Sequence, residues 1–139
     1  MTPAPPSSHY PPVTVEQLLD DARGRLRRLT PHEAFAAARQ GALLVDIRSE
    51  GQRERDGIVP GSRFVARNVL EWRLDPACPH RDDTLARPPE RIILLCDEGF
   101  QSSLAAATLQ KLGLRRATDV IGGFQAWRTS GLPVQRPPA

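Results

Sequence analysis

Short apolar runs alternate with stretches of helical periodicity along this chain. Short runs with apolar and β-branched residues are typical of buried strands, and they occur at residues 42–47, 63–66, 92–95 and 117–121. Residues 28–29 add a short candidate edge strand. Because the strands alternate with helices, the sequence predicts an α/β domain. Its sheet is expected to be mostly parallel, with about five strands and helices on both faces.

Two helices are predicted near the N-terminus by the same kind of start signal. Thr14 and Gln17 fit a capping box for a helix over residues 14–28, and Thr30 with Glu33 fits another for a helix that ends near residue 41. The first helix has an apolar stripe at helical spacing, with arginines in the remaining positions: Val15, Leu18, Leu19, Ala22 and Leu26 against Arg23, Arg25, Arg27 and Arg28. We interpret these arginines as a solvated basic face rather than a phosphate-binding surface.

Composition favours one globular domain over residues 13–134. A proline-rich segment, residues 1–12, is expected to be a disordered tail, and residues 135–139 form a second, short tail. The 139 residues are enough for one core, and 25% charged residues are ordinary for such a domain. The net charge of +3 is spread along the chain, so no nucleic-acid partner is predicted. Neither a membrane-length apolar run nor a signal-peptide pattern is present, and the expected location is the cytoplasm.

The strongest chemical signal is a strand, tight loop and helix between residues 91 and 112. Cys96 stands at the end of the predicted strand, and Ser102 with Ser103 are candidate caps for the following helix. Backbone N–H groups of such a loop and of a first helical turn form an anion cradle, which favours the reactive thiolate. Gly99 allows the loop to close without a Cβ clash. We therefore interpret Cys96 as a nucleophile rather than a buried structural cysteine.

Four segments resemble the rhodanese family of single-domain sulfurtransferases, and they occur along the chain in the order that the family has. Residues 96–102, Cys-Asp-Glu-Gly-Phe-Gln-Ser, look like the catalytic loop of the family: Cys, two residues, Gly, two residues, Ser or Thr. Residues 45–48 look like the Asp-Val-Arg signature, and residues 57–62 look like the Gly-His-Ile-Pro-Gly-Ala turn with Ile58 in place of histidine. Residues 122–127, Gly-Gly-Phe-Gln-Ala-Trp, resemble the C-terminal signature, and we expect Trp127 in the core. The resemblance spans about residues 27–134.

The resemblance implies a three-layer rhodanese-like fold and a two-step sulfur transfer through a persulfide on Cys96. It implies neither a metal nor an organic cofactor. The partners would be a small-molecule or protein sulfur donor and a thiol or cyanide acceptor, while the oligomeric state stays open. Asp46 and Arg48 would have a structural, loop-fixing role near the site. The expected substrate-binding residues are Asp97, Glu98, Gly99, Phe100, Gln101, Ser102 and Arg67.

Two arginines follow the predicted strand at residues 63–66 and could bind an anionic substrate. Arg67 falls at the end of that strand, on the sheet edge of Cys96, and Arg73 lies about a turn and a half further on. A substrate role and an ordinary surface role are equally compatible with each of them. Asn68 is expected to cap the helix that follows, and residues 75–90 read as a loop.

Three other classes of protein are alternatives for a chain with this cysteine loop. A cysteine phosphatase needs an arginine six residues after its cysteine, where this chain has Ser102, and a thioredoxin-like enzyme needs Cys-x-x-Cys. The other cysteine, Cys78, is interpreted as an inert loop thiol rather than a resolving partner. A non-catalytic rhodanese-like binding or sensing module is the remaining alternative. The acidic pair Asp97 and Glu98 keeps it open, because thiosulfate-using relatives often carry positive charge there.

Overall fold

The structure is a computed structural model that describes residue 3, residues 10–85 and residues 91–138. Its centre is a parallel sheet in the order β2-β1-β3-β4, formed by β1 (Leu43–Asp46), β2 (Arg63–Phe64), β3 (Ile92–Leu95) and β4 (Thr118–Asp119). The predicted α/β class and parallel sheet are confirmed, but the expected fifth strand is wrong. Leu29 forms only a single parallel bridge to Val120. The strand cannot continue because Thr30 already caps the next helix and Pro31 has no N–H to donate.

Six helices and one 3₁₀ turn surround this sheet in the described residues. The helices are α1 (Val15–Gly24), α2 (Pro31–Arg39), α3 (Glu50–Asp56), α4 (Leu70–Leu74), α5 (Gln101–Lys111) and α6 (Gly123–Thr129). A 3₁₀ turn, Arg67–Val69, precedes α4. None of these helices is long and apolar enough to cross a membrane.

The central strand β3 shows how the layers form. Its residues are all buried, and they alternate between two apolar clusters on opposite faces of the sheet. Ile92 and Leu94 join a cluster that includes side chains of α4 and α5, and α1 packs on α5. Ile93 and Leu95 join a second cluster with α2 and α6. Cys96 follows β3 and belongs to the same cluster as Ile92 and Leu94. The alternation of β3 therefore decides on which face of the sheet Cys96 lies.

Helix α1 is shorter than predicted. Its capping box between Thr14 and Gln17 is confirmed, but the helix ends at Gly24 rather than at residue 28. The following residues leave the helix to bring Leu29 beside Val120, and Thr118 donates a hydrogen bond to the backbone carbonyl of Arg27 (2.8 Å). The apolar stripe is also narrower than predicted: Leu19 and Ala22 are buried, whereas Val15 and Leu18 are exposed.

The capping signals in the sequence predict some helix starts correctly and fail at others. The capping box of Thr30 and Glu33 is confirmed. Helix α3 was not predicted, although Ser49 and Gln52 form a capping box, because none of its residues is buried and so no apolar period marks it. The predicted cap at Asn68 is wrong, since that residue lies inside the 3₁₀ turn and no side chain caps α4.

The predicted loop and tails are described only in part. The chain forms turns between residues 75 and 85, and residues 86–90 lie outside the described residues. Most of the predicted N-terminal tail also lies outside them. Near the other end, Gln135 exchanges two backbone hydrogen bonds with Ile58 (2.8 and 2.9 Å).

We predict that the two tryptophans differ sharply in their contribution to stability. Trp127 is buried, as expected from the sequence, donates its indole N–H to the carbonyl of Pro133 (2.9 Å), and packs edge-on against Phe35. Trp127→Ala should lower the free energy of unfolding by about 3–5 kcal/mol. Trp72→Ala, at a half-exposed position, should change it by less than about 0.5 kcal/mol. Urea denaturation of both variants measures this, and equal losses would contradict the core assignment.

Candidate active site

Cys96 lies directly after β3, at the carboxyl edge of the sheet. It is only 6% exposed. Its Sγ accepts hydrogen bonds from the backbone N–H groups of Gly99 (3.1 Å) and Ser102 (3.4 Å). The loop therefore wraps around the sulfur and offers it backbone donors.

Further donors in the same loop are uncommitted. The N–H groups of Glu98, Phe100 and Gln101 have no acceptor within the part of the chain that the structure describes. Gln101 begins α5, so its N–H is also one of the unpaired groups of a first helical turn. Such a set of amides, together with the helix dipole, suits an anion bound to or formed on the sulfur.

Glycine backbone conformations shape this loop. Gly99 has φ +85°, and a Cβ there would lie 2.7 Å from the backbone N of Gly122. Gly123 has φ +62°, and its Cβ would lie 2.5 Å from the carbonyl oxygen of Cys96. The close approach allows the N–H of Phe124 to donate to that carbonyl (2.8 Å). The Gly-Gly turn before α6 thus holds the cysteine loop by its backbone.

The two serines after the loop do not cap α5. The helix has no side-chain cap, and both serines lie fully buried inside its first turn. Ser102 Oγ is 3.2 Å from Cys96 Sγ, placed to accept the thiol proton, and it donates to Asp119 Oδ2 (2.7 Å). Ser103 Oγ donates to the same oxygen (2.8 Å). The predicted capping role is wrong because a buried carboxylate at the end of β4 takes both hydroxyl protons.

Two arginines of the N-terminal segment bind this region: Arg28 contacts both Asp119 and the loop, and Arg23 contacts the loop and Ser103. Arg28 binds Asp119 through Nε (2.9 Å) and a terminal nitrogen (3.2 Å), and that nitrogen also donates to the carbonyl of Gly99 (3.0 Å). Arg23 donates to the Gly99 carbonyl (2.9 Å) and to Ser103 Oγ (3.1 Å). The interpretation as a solvated face is wrong for these two residues. Arg25 is exposed and pairs with the exposed Asp21 on α1.

The outer rim of the loop is acidic. Asp97 is half-buried, and its Oδ1 accepts a hydrogen bond from Gln125 Nε2 (2.9 Å), which also donates to Asp56 Oδ2 (3.0 Å). The Arg55 guanidinium, hydrogen-bonded to Asp56, holds the pKa of that carboxyl below its ordinary value. Glu98 is exposed and has no polar partner in the described residues. Phe100 beside it is half-exposed.

Asp46 and Arg48 form a separate buried pair at the end of the neighbouring strand. The Arg48 guanidinium binds both carboxylate oxygens of Asp46 (3.1 and 2.8 Å), donates to the carbonyl of Gly57 (2.8 Å) and lies 3.8 Å from the ring centre of Phe124. The pair makes no hydrogen bond to the cysteine loop. We keep the interpretation that it fixes adjoining loops.

The remaining candidates bond to residues outside the cysteine loop. Arg67 binds Glu71 (2.8 Å), and Arg73 donates to the carbonyl of His80 (3.1 Å). Cys78 is partly buried, and its Sγ accepts from the His80 N–H (3.4 Å). None of these hydrogen bonds reaches residues 96–102. Within the described residues, no group of three or more His, Cys, Asp or Glu side chains is arranged to hold a metal ion.

Sequence reasoning missed Asp119, Arg23 and Arg28. A usable signal existed for Asp119, because it is a carboxylate at the end of a predicted strand, and the carboxyl ends of parallel strands meet at one edge. No comparable signal exists for the two arginines. Their contacts depend on how α1 packs on α5 and where the chain leaves the helix.

Residues 30–130 match the rhodanese-like domain family, and the chain belongs to this family. The thiosulfate sulfurtransferase GlpE of Pseudomonas syringae pv. syringae is 30% identical over 104 residues, which cover 75% of this chain and 89% of that protein. Other curated proteins of the same name are 27–31% identical. The family model and these relatives confirm the predicted class, a rhodanese-like sulfurtransferase.

Two solved structures are similar along most of the chain. A protein of unknown function from Rhodopseudomonas palustris CGA009, named a possible tyrosine phosphatase, is 32% identical with a TM-score of 0.81 and covers 97% of this chain and 100% of its own. A rhodanese-related protein from Thermoplasma volcanium is 21% identical with a TM-score of 0.64, over 80% of this chain and 99% of its own. The predicted rhodanese-like fold is therefore confirmed.

We predict that Gly99→Val depresses sulfur transfer by about a hundredfold, because a displaced loop misaligns the backbone donors around Cys96. Gly113→Val is the matched control, since Gly113 also has a positive φ (+93°) but has open space around its Cβ position. Both variants should lose stability through backbone strain. Activity and melting temperature are measured together, and an equal loss of activity in both variants would contradict the amide cradle.

Proposed function

We propose that this protein transfers sulfane sulfur from a donor to a nucleophilic acceptor through a persulfide on Cys96. The observation that carries the proposal is the position of Cys96 Sγ, which accepts hydrogen bonds from two backbone N–H groups. Other N–H groups of the same loop, those of Glu98, Phe100 and Gln101 among them, have no acceptor in the described residues. Covalent catalysis of this kind needs a stabilised nucleophile and dipoles aimed at the developing charge.

The reaction divides into two balanced steps. In the first, the Cys96 thiolate attacks the sulfane sulfur of the donor, so a new S–S bond forms while the donor's bond to that sulfur breaks. From thiosulfate the leaving group would be sulfite. In the second, an acceptor thiolate or cyanide attacks the outer sulfur, and Cys96 leaves as the thiolate. The loop amides would bind the anionic persulfide between the two steps.

Thiosulfate is the first donor to test, because the curated relatives are named for it. However, the negative charge at the rim of the loop should make thiosulfate a poor donor for this protein. Glu98 is exposed, and Asp97 is held at the loop by Gln125, so two carboxylates face an incoming dianion. A neutral or cationic persulfide, small or protein-borne, fits this rim better. The cytoplasmic location and the absence of a nucleic-acid partner stay predictions.

A phosphatase is the second candidate, since a similar solved structure carries that name. Ser102 occupies the position of the phosphate-clamping arginine, and it is fully buried against Asp119. The nearest arginines, Arg23 and Arg28, are committed to Gly99, Ser103 and Asp119. Without a free guanidinium in the loop, sulfur transfer is favoured. The non-catalytic module is disfavoured because Cys96 and its amide donors are both in place.

Incubation with a sulfane donor should add one sulfur to Cys96. Intact-mass and peptide mass spectrometry should find it on the peptide that contains Cys96 and not on the peptide that contains Cys78. Cys96→Ser should abolish transfer to cyanide while the protein stays folded, and Cys78→Ser should be nearly silent. Transfer that survives in Cys96→Ser, or release of phosphate from an aryl phosphate by the wild type, would overturn the proposal.

The acidic rim should depress the use of thiosulfate. Asp97→Asn/Glu98→Gln is expected to raise kcat/KM for thiosulfate about tenfold at low ionic strength, because repulsion of the dianion is removed. Added salt should improve the wild type and should affect the double variant less, since salt screens exposed charges. Steady-state rates for both proteins at low and high salt measure this.

Asp21→Asn is the matched control, since it removes an exposed carboxylate on α1 whose one ion pair in the described residues is with Arg25. Its rate should equal that of the wild type. Should the double variant be no faster, or should salt inhibit the wild type, cations near the loop dominate the local field. The argument for a neutral donor would then be wrong.

A further inference from the structure

A buried ion pair lies behind the catalytic loop. Asp119 is fully buried, and its carboxylate accepts four hydrogen bonds: two from Arg28 and one each from Ser102 and Ser103. Ser102 Oγ, in turn, is 3.2 Å from Cys96 Sγ. Only one hydroxyl therefore stands between the sulfur and a carboxylate.

Arg28 joins this pair to the loop itself. The same terminal nitrogen that binds Asp119 donates to the carbonyl of Gly99, and Arg23 donates to that carbonyl as well. Because the peptide bond after Gly99 is planar and trans, fixing its C=O toward the arginines directs the N–H of Phe100 the opposite way. That N–H is one of the uncommitted donors of the loop.

An unpaired carboxylate so close to the sulfur would oppose ionisation of Cys96. The other charged groups near the loop do not compensate it specifically. Asp97 and Glu98 are acidic, and Arg23 is a cation that bonds Gly99 and Ser103 but not Asp119. Asp46, at the end of β1, pairs with Arg48 and lies 3.4 Å from the Arg53 guanidinium. Arg55 and Arg128 at the rim pair with Asp56. Arg28 is therefore the cation that allows Asp119 to lie behind a nucleophilic thiolate.

We propose that Asp119 and Arg28 act as a positioning pair for Cys96, in which Asp119 orients the Ser102 hydroxyl toward the sulfur and Arg28 compensates the charge of Asp119. With the thiol present, Ser102 donates to Asp119 and accepts from sulfur. With a thiolate or persulfide, its hydroxyl turns to donate to the sulfur, and Asp119 keeps the bonds from Arg28 and Ser103. Both members of the pair lie outside the cysteine loop, and Arg28 also precedes the matched residues 30–130.

The inference rests on the proposed function, because it assigns the pair a role in sulfur transfer. It can nevertheless be tested through the reactivity of the Cys96 thiol, without a sulfur donor. The test is the rate of Cys96 alkylation by iodoacetamide against pH, in a Cys78→Ser background. Asp119→Asn leaves Arg28 uncompensated, so the midpoint of the profile should move about one unit to lower pH. Arg28→Gln removes the cation that is bound to Asp119, so the midpoint should move about one unit to higher pH. The double variant Arg28→Gln/Asp119→Asn should return close to the wild type.

Opposite shifts in the two single variants distinguish charge from packing, because damage to packing would move both in the same direction. Arg25→Gln is the matched control, an exposed arginine of the same segment, and should leave the midpoint unchanged. Arg28→Lys keeps the charge, so its midpoint should stay within about 0.3 pH units of the wild-type midpoint. This variant keeps the test decisive if the other single variants fold poorly. Circular dichroism monitors folding of every variant.

An unchanged midpoint in a folded Asp119→Asn protein, or shifts of both single variants in one direction, would overturn the inference. So would a shift in Arg28→Lys as large as that expected for Arg28→Gln. These results are independent of persulfide formation. A protein that shows the opposite shifts but never accepts sulfur would refute the proposed function and leave the positioning pair in place.

Discussion

Two fully buried carboxylates at the carboxyl edge of the sheet, Asp46 and Asp119, determine how the loops above it are held. A buried carboxylate is strongly unfavourable unless a cation and hydrogen bonds compensate it. Each one here is bound by an arginine, Arg48 or Arg28, and Asp46 also lies 3.4 Å from the Arg53 guanidinium. Each arginine then donates a further hydrogen bond to the carbonyl of a glycine with positive φ, Gly57 or Gly99. The same solution thus occurs twice, and each time it ties a loop to the end of a strand.

The cysteine loop depends on both of these anchors and on α6. Asp119 and Arg28 hold it from behind, while the Gly-Gly turn and the first N–H groups of α6 hold its carbonyls. Arg48 lies against the ring of Phe124, so the Asp46 pair supports α6 and reaches the loop indirectly. The loop is therefore organised before any substrate arrives, and its free amides need no rearrangement to bind a new anion.

Charge is arranged differently on the two sides of the sulfur. Behind it, Asp119 is neutralised by Arg28 in the protein interior, where an unpaired charge would act strongly on Cys96. In front, Glu98 is exposed and Asp97 is half-buried at the rim, where salt weakens exposed charges more than buried ones. In our proposals, the inner pair bears on the reactivity of the thiol, and the outer pair bears on the choice of donor. Relatives named as sulfurtransferases and as a possible phosphatase share this fold, so only such local differences can separate their chemistry.

Local sequence was sufficient wherever neighbours in the chain decide the structure. The buried strands, the capping boxes at Thr14 and Thr30, the glycine in the cysteine loop and the position of Cys96 after β3 all follow from short-range patterns. Family signatures then indicated the fold and the chemistry of the cysteine.

Tertiary structure alone decided which polar groups lie behind the sulfur. Ser102 at a helix start is equally suitable as a cap or as a buried donor, and only the arrival of Asp119 from another strand makes it the latter. Arg23 and Arg25 are two positions apart in the sequence, yet one reaches the cysteine loop and the other stays in solvent. The packing of α1 on α5 decides this difference. Contacts between residues 76 and 91 positions apart leave no local pattern in the chain.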